Sequence, residues 1–181
     1  MSRIGKMQIP VPQGVSVDFD GTVVTVKGPK GTLTQTIAAK NIGVEKADGF
    51  ISVTRKTDAK EVKAMHGLYR MLIANMVTGV VTPFVRTLII KGVGYKASVT
   101  NNKLVMNIGL SHPVEFVAPE GITLACTDPT TVTVTGISKE LVGQTAATIR
   151  AKKPVEPYHN YGIRYSDEKV VKKEGKTAGK K

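Results

Sequence analysis

Stretches of this chain repeat one another, and an internal repeat limits the fold to one unit built twice. Pro12-Gln13-Gly14-Val15-Ser16-Val17 lines up with Pro119-Glu120-Gly121-Ile122-Thr123-Leu124, and "TVVTVKG" at 22–28 lines up with "TTVTVTG" at 130–136. Lys60-Glu61-Val62 answers Lys139-Glu140-Leu141, and Ile4-Gly5 answers Ile108-Gly109. The matches predict a first unit over 1–82 and a second over 83–153, hinged at Val81-Thr82-Pro83 and followed by a C-terminal extension over 154–181.

Hydrophobic periodicity gives each unit its expected content. In the first, Val15/Val17/Phe19, Val24/Val26, Leu33/Gln35/Ile37 and Phe50–Val53 alternate as short strands do, with turn signals at Asp20-Gly21 and Lys30-Gly31. Asp58 followed by Glu61 resembles a capping box, and Val62, Met65, Tyr69, Leu72, Met76 and Val80 then recur at helical spacing as the expected inward stripe. In the second, Arg86–Lys91, Tyr95–Thr100 and Leu104/Met106/Ile108 read as strands, with a hairpin turn at Asn101-Asn102. A helix is expected over 138–152, with Leu141, Val142, Thr145 and Ile149 inward, stopped by Pro154. The predicted class is α+β: two tandem duplicated domains, each an antiparallel sheet with one helix on a face, plus a basic extended tail.

Composition narrows the function. The 181 residues are 41% hydrophobic, enough for a packed core, and carry a formal net charge of +12. Half of that charge falls in residues 150–181, where ten basic side chains face four acidic ones. Such an excess favours a polyanionic partner. Cys126 is the single cysteine, so no internal disulfide forms, a reducing compartment is expected, and the residue reads as a small core side chain. "MSRIGKMQIPVPQG" has two prolines and no long apolar run, so neither a secretory leader nor a membrane span is expected.

Motifs that promise chemistry fail on context. Gly92-Val93-Gly94-Tyr95-Lys96-Ala97 matches a dinucleotide fingerprint, with Glu115 about 20 residues on, but that motif needs a helix to begin at its glycines. "YKASVTNNKLVMN" alternates like a strand instead. The expected structure there is a bend that presents Lys91 and Lys96 around Tyr95 to a polyanion. Gly175-Lys176-Thr177 lacks the first glycine of a P-loop, because position 170 is valine. His66, His112 and His159 are far apart and one cysteine cannot build a zinc site; His66, beside the helical stripe, reads as a satisfied boundary residue. No G-x-S-x-G element occurs, so no catalytic residues, metal or cofactor are assigned.

The C-terminal strip is different. Lys152, Lys153, Tyr158, His159, Tyr161, Arg164, Tyr165, Lys169, Lys172, Lys173 and Lys176 interleave rings with cations, and three of the chain's five tyrosines fall within it. Cations neutralise phosphates, rings stack on bases, and tyrosine hydroxyls reach phosphate or 2′-OH groups, so the ligand class is nucleic acid. Folded RNA suits it better than duplex DNA, since neither helix offers a charged face for the major groove. A free tail of this charge is expected to order only on binding.

These residues carry a resemblance. "IGKMQIPVPQGV", "VKGPKGTL" at 26–33, "GVGYKA" at 92–97 and "PEPY…GIRY…E…KKEGK", with Val155 after the first proline, resemble bacterial large-subunit ribosomal proteins of the L-six family over essentially the full length. His159, Asn160 and Tyr161 stand where the family's motif has lysine, glycine and lysine. The resemblance implies a structural, non-enzymatic, cytoplasmic protein that binds large-subunit ribosomal RNA near the translation-factor site, by the sarcin–ricin loop and stalk base. By motif match the RNA contacts fall on Lys91, Tyr95, Lys96 and the Lys152–Lys176 strip. The implied partners are that RNA and neighbouring ribosomal proteins, with no membrane and no small-molecule substrate. Two other classes stay open: a nucleotide-dependent enzyme, which requires a helix directly after Gly94, and a free-standing regulatory RNA or DNA binder.

Overall fold

A computed structural model describes residues 3–39, 41–47 and 49–176. The chain divides into two compact units, Met1–Pro83 with Ile137–Lys139 and Phe84–Gly136 with Glu140–Lys181.

In the first unit, β2 (Ser16–Asp20), β3 (Val23–Gly28) and β4 (Gly31–Thr36) form one antiparallel sheet in the order β2-β3-β4. Alternation sends Val17, Val24 and Val26 to the interior, and Gly21, at φ 57°, supplies the left-handed turn between β2 and β3. A second sheet orders β1 (Ile9–Pro10), β6 (Phe50–Arg55) and β5 (Ile42–Ala47) as β1-β6-β5. The long helix α1 (Lys60–Val81) packs on both. It ends where Pro83 forces the preceding residue out of helical space, and Thr82 is extended at φ −123°, ψ 109°.

Two local expectations are corrected here. The helix is capped by Ala59 without a side-chain bond, because the Asp58 carboxylate is taken by Arg55 Nε at 2.9 Å and Lys63 Nζ at 3.7 Å. Its inward stripe is His66, Tyr69, Ile73, Met76, Val77 and Val80, whereas Met65 is 41% exposed. The reason is His66. Its Nε2–H donates to Val53 O at 2.7 Å and its Nδ1 accepts from Arg55 Nη1 at 3.1 Å. A carbonyl can only accept and a guanidinium only donate, so the neutral ring is fully satisfied and enters the interior.

In the second unit, β7 (Phe84–Lys91), β11 (Ile122–Asp128), β12 (Thr131–Gly136) and β13 (Gly162–Tyr165) make an antiparallel sheet ordered β11-β12-β7-β13. The strands β8 (Lys96–Thr100), β9 (Lys103–Asn107) and β10 (Val114–Val117) form the sheet β10-β9-β8. Asn101 and Asn102, at φ 51° and 59°, give the expected hairpin its two left-handed residues. The Asn102 amide also joins the two sheets: Nδ2–H donates to Ile122 O at 2.7 Å and Oδ1 accepts from Leu124 N–H at 2.8 Å.

The helix α2 (Lys139–Ala151) buries Val142, Thr145, Ala146 and Ile149. Leu141, expected inward, is 43% exposed. The fold is thus the expected α+β class with one helix per copy, but each copy holds two sheets. The repeat survives as a hairpin and a helix: β2-β3 corresponds to β11-β12, and both helices begin at the matched lysines, Lys60 and Lys139. Apart from the short β1, the remaining strands follow that hairpin in the first unit, and apart from β13 they precede it in the second.

Candidate nucleic-acid interface

The strip after α2 is folded by its own backbone bonds. Pro154 cannot extend the helix, and the chain loops so that Glu156 N–H donates to Tyr161 O at 3.0 Å and Ile163 N–H to Lys153 O at 2.8 Å. Asn160 takes a left-handed φ of 59°, and Gly162 a φ of 139° with its Cα facing Pro154 O and Val155. β13 then pairs antiparallel with β7, in the register Gly162 to Lys91 and Tyr165 to Leu88. The segment expected as an extension that orders only on binding therefore supplies a sheet strand from 162 to 165. Ile163 is fully buried in the second core, so β13 gains both a ladder and an apolar contact.

An ionic clamp fixes the chain just beyond β13. Glu168 accepts from Arg150 Nε at 2.9 Å, from Arg150 Nη2, and from Tyr165 N–H at 3.1 Å. The hydrogen bond from Arg150 holds the Glu168 carboxyl below the ordinary carboxylate range, against a smaller opposing effect of burial. The same pair raises the Arg150 pKa. The Tyr165 ring lies 5.6 Å from the Arg150 guanidinium and 5.9 Å from that of Arg86, which also pairs with Asp167 at 3.2 Å. Tyr165 is a half-buried strut in this clamp, whose members sequence reasoning did not connect because 18 residues separate Arg150 from Glu168.

The other predicted residues sort by exposure. Lys152, Tyr158, His159, Lys169, Lys172, Lys173 and Lys176 are exposed, and Lys153 and Tyr161 are half-buried. The half-buried Arg164 has a sequestered Nε without a hydrogen-bond partner, as does Asn160 at Oδ1. Lys91 and Lys96 are exposed at the ends of β7 and β8. Pairing of Gly162 with Lys91 brings the strip beside this bend. Tyr95 is partly buried against the second core, its ring pressed on the backbone of Gly92 and Gly109. Gly94 has φ 73° and is followed by Tyr95 and then by strand β8, so no helix N-terminus exists for a dinucleotide pyrophosphate.

A backbone bond with no signal in the sequence folds the chain back on itself: Lys173 N–H donates to Pro157 O at 2.8 Å. A cleft of about 510 Å³ results, lined by Tyr158, His159, Lys172, Lys173, Glu174 and Gly175. His159 and Tyr161 stack with centroids 5.5 Å apart and planes at 25°. Among the described residues, no group of three His, Cys, Asp or Glu side chains is placed to hold a metal ion, and no helix is long and apolar enough to cross a membrane. Partial burial raises the Cys126 thiol pKa, in keeping with an unreactive packing residue.

Residues 11–82 and 91–166 match the family model described as ribosomal protein L6. The chain is 51% identical over 181 residues to the large ribosomal subunit protein uL6 of Prosthecochloris aestuarii, covering all of both chains. It is 50% identical to the protein of the same name from Dictyoglomus thermophilum, again over 100% of both. Against that of Streptococcus uberis the identity is 53%, over 98% of this chain and 99% of the other.

Proposed function

We propose, from the premise that this chain belongs to the ribosomal protein L6 family and is a structural, non-enzymatic constituent of the large ribosomal subunit, that its second unit and C-terminal strip bind large-subunit ribosomal RNA. The observation that carries the reading is the placement of exposed cations. β13 draws the strip against β7, so Lys91 and Lys96 stand on the same unit as Lys152, Lys169, Lys172, Lys173 and Lys176. Each cation that meets a phosphate releases counterions. Arg164 is only half-buried, and a guanidinium can fork onto a phosphate. Tyr95 and Tyr165 act in this reading by shaping the surface.

The mechanism is positional. Units with separate hydrophobic cores act as spacers, and the basic face neutralises phosphates where RNA segments converge in the cytoplasmic ribosome. The location follows from the family resemblance: the translation-factor site, by the sarcin–ricin loop and the stalk base. Hydroxyl-radical footprinting of large subunits assembled with and without the protein tests it. Protection is expected at those two RNA elements; protection confined to other regions contradicts the location, and none at all contradicts RNA binding.

A further inference from the structure

We propose that the cleft between Tyr158-His159 and Lys172–Gly175 is a subsite for a single nucleotide turned out of its RNA stack, a deepening that rests on the RNA-binding reading above. Its volume of about 510 Å³ lies within the range of small-ligand clefts, about 300–1,000 Å³. Its walls differ in chemistry as a nucleotide's parts do. On one side are two rings, and Tyr158 is 49% exposed. On the other are the two lysines.

The aromatic wall is built before any ligand arrives. His159 is backed by Tyr161 in the 5.5 Å stack, and Glu156 Oε1 lies 3.3 Å from His159 Nδ1. The Glu156 N–H to Tyr161 O bond closes the loop that carries Glu156, Tyr158, His159 and Tyr161. A ring already backed, as His159 is, loses little freedom on binding. The opposite wall is tied by the Lys173 N–H to Pro157 O bond, which sets the cleft's width by backbone.

Glu174 chooses between ligands. A surface built only for phosphates has no use for a carboxylate, but one lines this cleft between the lysines and Gly175. It repels a phosphate and accepts from the N–H donors of a base edge or from a 2′-OH. The arrangement therefore places phosphate on Lys172 and Lys173, the base face on the rings, and a polar nucleoside edge on Glu174. Unstacked bases in loops and junctions present all three groups together.

The test measures affinity of the full-length protein for large-subunit ribosomal RNA across a salt series. Stacking does not depend on counterions, so Tyr158→Ala lowers affinity at every salt concentration by roughly ten- to a hundredfold while leaving the salt slope intact. Tyr158→Leu, which keeps apolar bulk without an aromatic face, shows the same loss, and Tyr158→Phe restores affinity. Lys172→Ala with Lys173→Ala lowers the slope instead. If the wild type binds and Tyr158→Ala, Tyr158→Leu and His159→Ala all bind like it, the nucleotide cleft is overturned while the RNA-binding reading stands. If the wild type binds at no salt concentration, both fall.

Discussion

A Cβ at Gly162 would lie 2.7 Å from Pro154 O and from Val155 Cα, and the residue's φ of 139° is one that side-chain-bearing residues rarely adopt. Gly162→Ala is accordingly expected to cost more than about 1 kcal/mol, read from the denaturant midpoint. Two residues earlier, Asn160 has φ 59°. Asparagine is among the few side-chain-bearing residues that tolerate this region. Asn160→Gly should leave thermal unfolding nearly unchanged, and Asn160→Val should lower it. Burial separates another pair. Val24 is fully buried, so Val24→Asp strands an uncompensated charge and is expected to cost more than about 4 kcal/mol. Leu141 looks equally apolar in the sequence, but at 43% exposure Leu141→Asp should be tolerated, and urea unfolding of the two variants checks the contrast.

At the level of elements, the repeated glycines show why part of the fold was legible. Gly28 ends β3 against Val80 of α1, and Gly136 ends β12 against Ile122 and Val142 of α2; a side chain at either would collide with these residues. Matched strands reveal themselves because valine alternation and a terminal glycine answer the same packing need twice. β5 is hidden in the sequence because Gly43, Glu45 and Lys46 break its apolar pattern, as befits an edge strand with one neighbour. β13 is hidden because a four-residue strand with one buried aliphatic has no periodicity to read. The phase of α1 is masked by the entry of a polar ring, which depends on Val53 and Arg55, distant in sequence. The clamp on β13 gives a pH signature. The Glu168 carboxyl is depressed by Arg150, so its stabilising contribution is present above the unfolded pKa, about 4.3, and is lost as pH falls through the lower folded value. Thermal unfolding of wild type should therefore approach that of Glu168→Gln only in that acid window, and a gap independent of pH would contradict the clamp.

For the whole molecule, the basic character of the C-terminal residues was legible from composition alone, while the division between those that hold the fold and those that stay exposed was not. Tyr165 and Arg150 serve the fold, and Tyr158, His159 and the lysines face outward. That distinction requires knowing that β13 docks, which also means that deleting the strip would take Ile163 out of the core and confuse binding with stability. Side-chain replacement in the intact chain avoids the difficulty. The most direct test is the salt dependence of binding to large-subunit ribosomal RNA by the wild type and by a variant with Lys152, Lys169, Lys172 and Lys173 changed to alanine, both with unchanged thermal unfolding. Contact by these side chains predicts that the variant binds more weakly and that its log–log slope is shallower by about 0.7–0.9 for each phosphate no longer neutralised. An equal slope and affinity in the two proteins would contradict the basic strip as the RNA-binding surface.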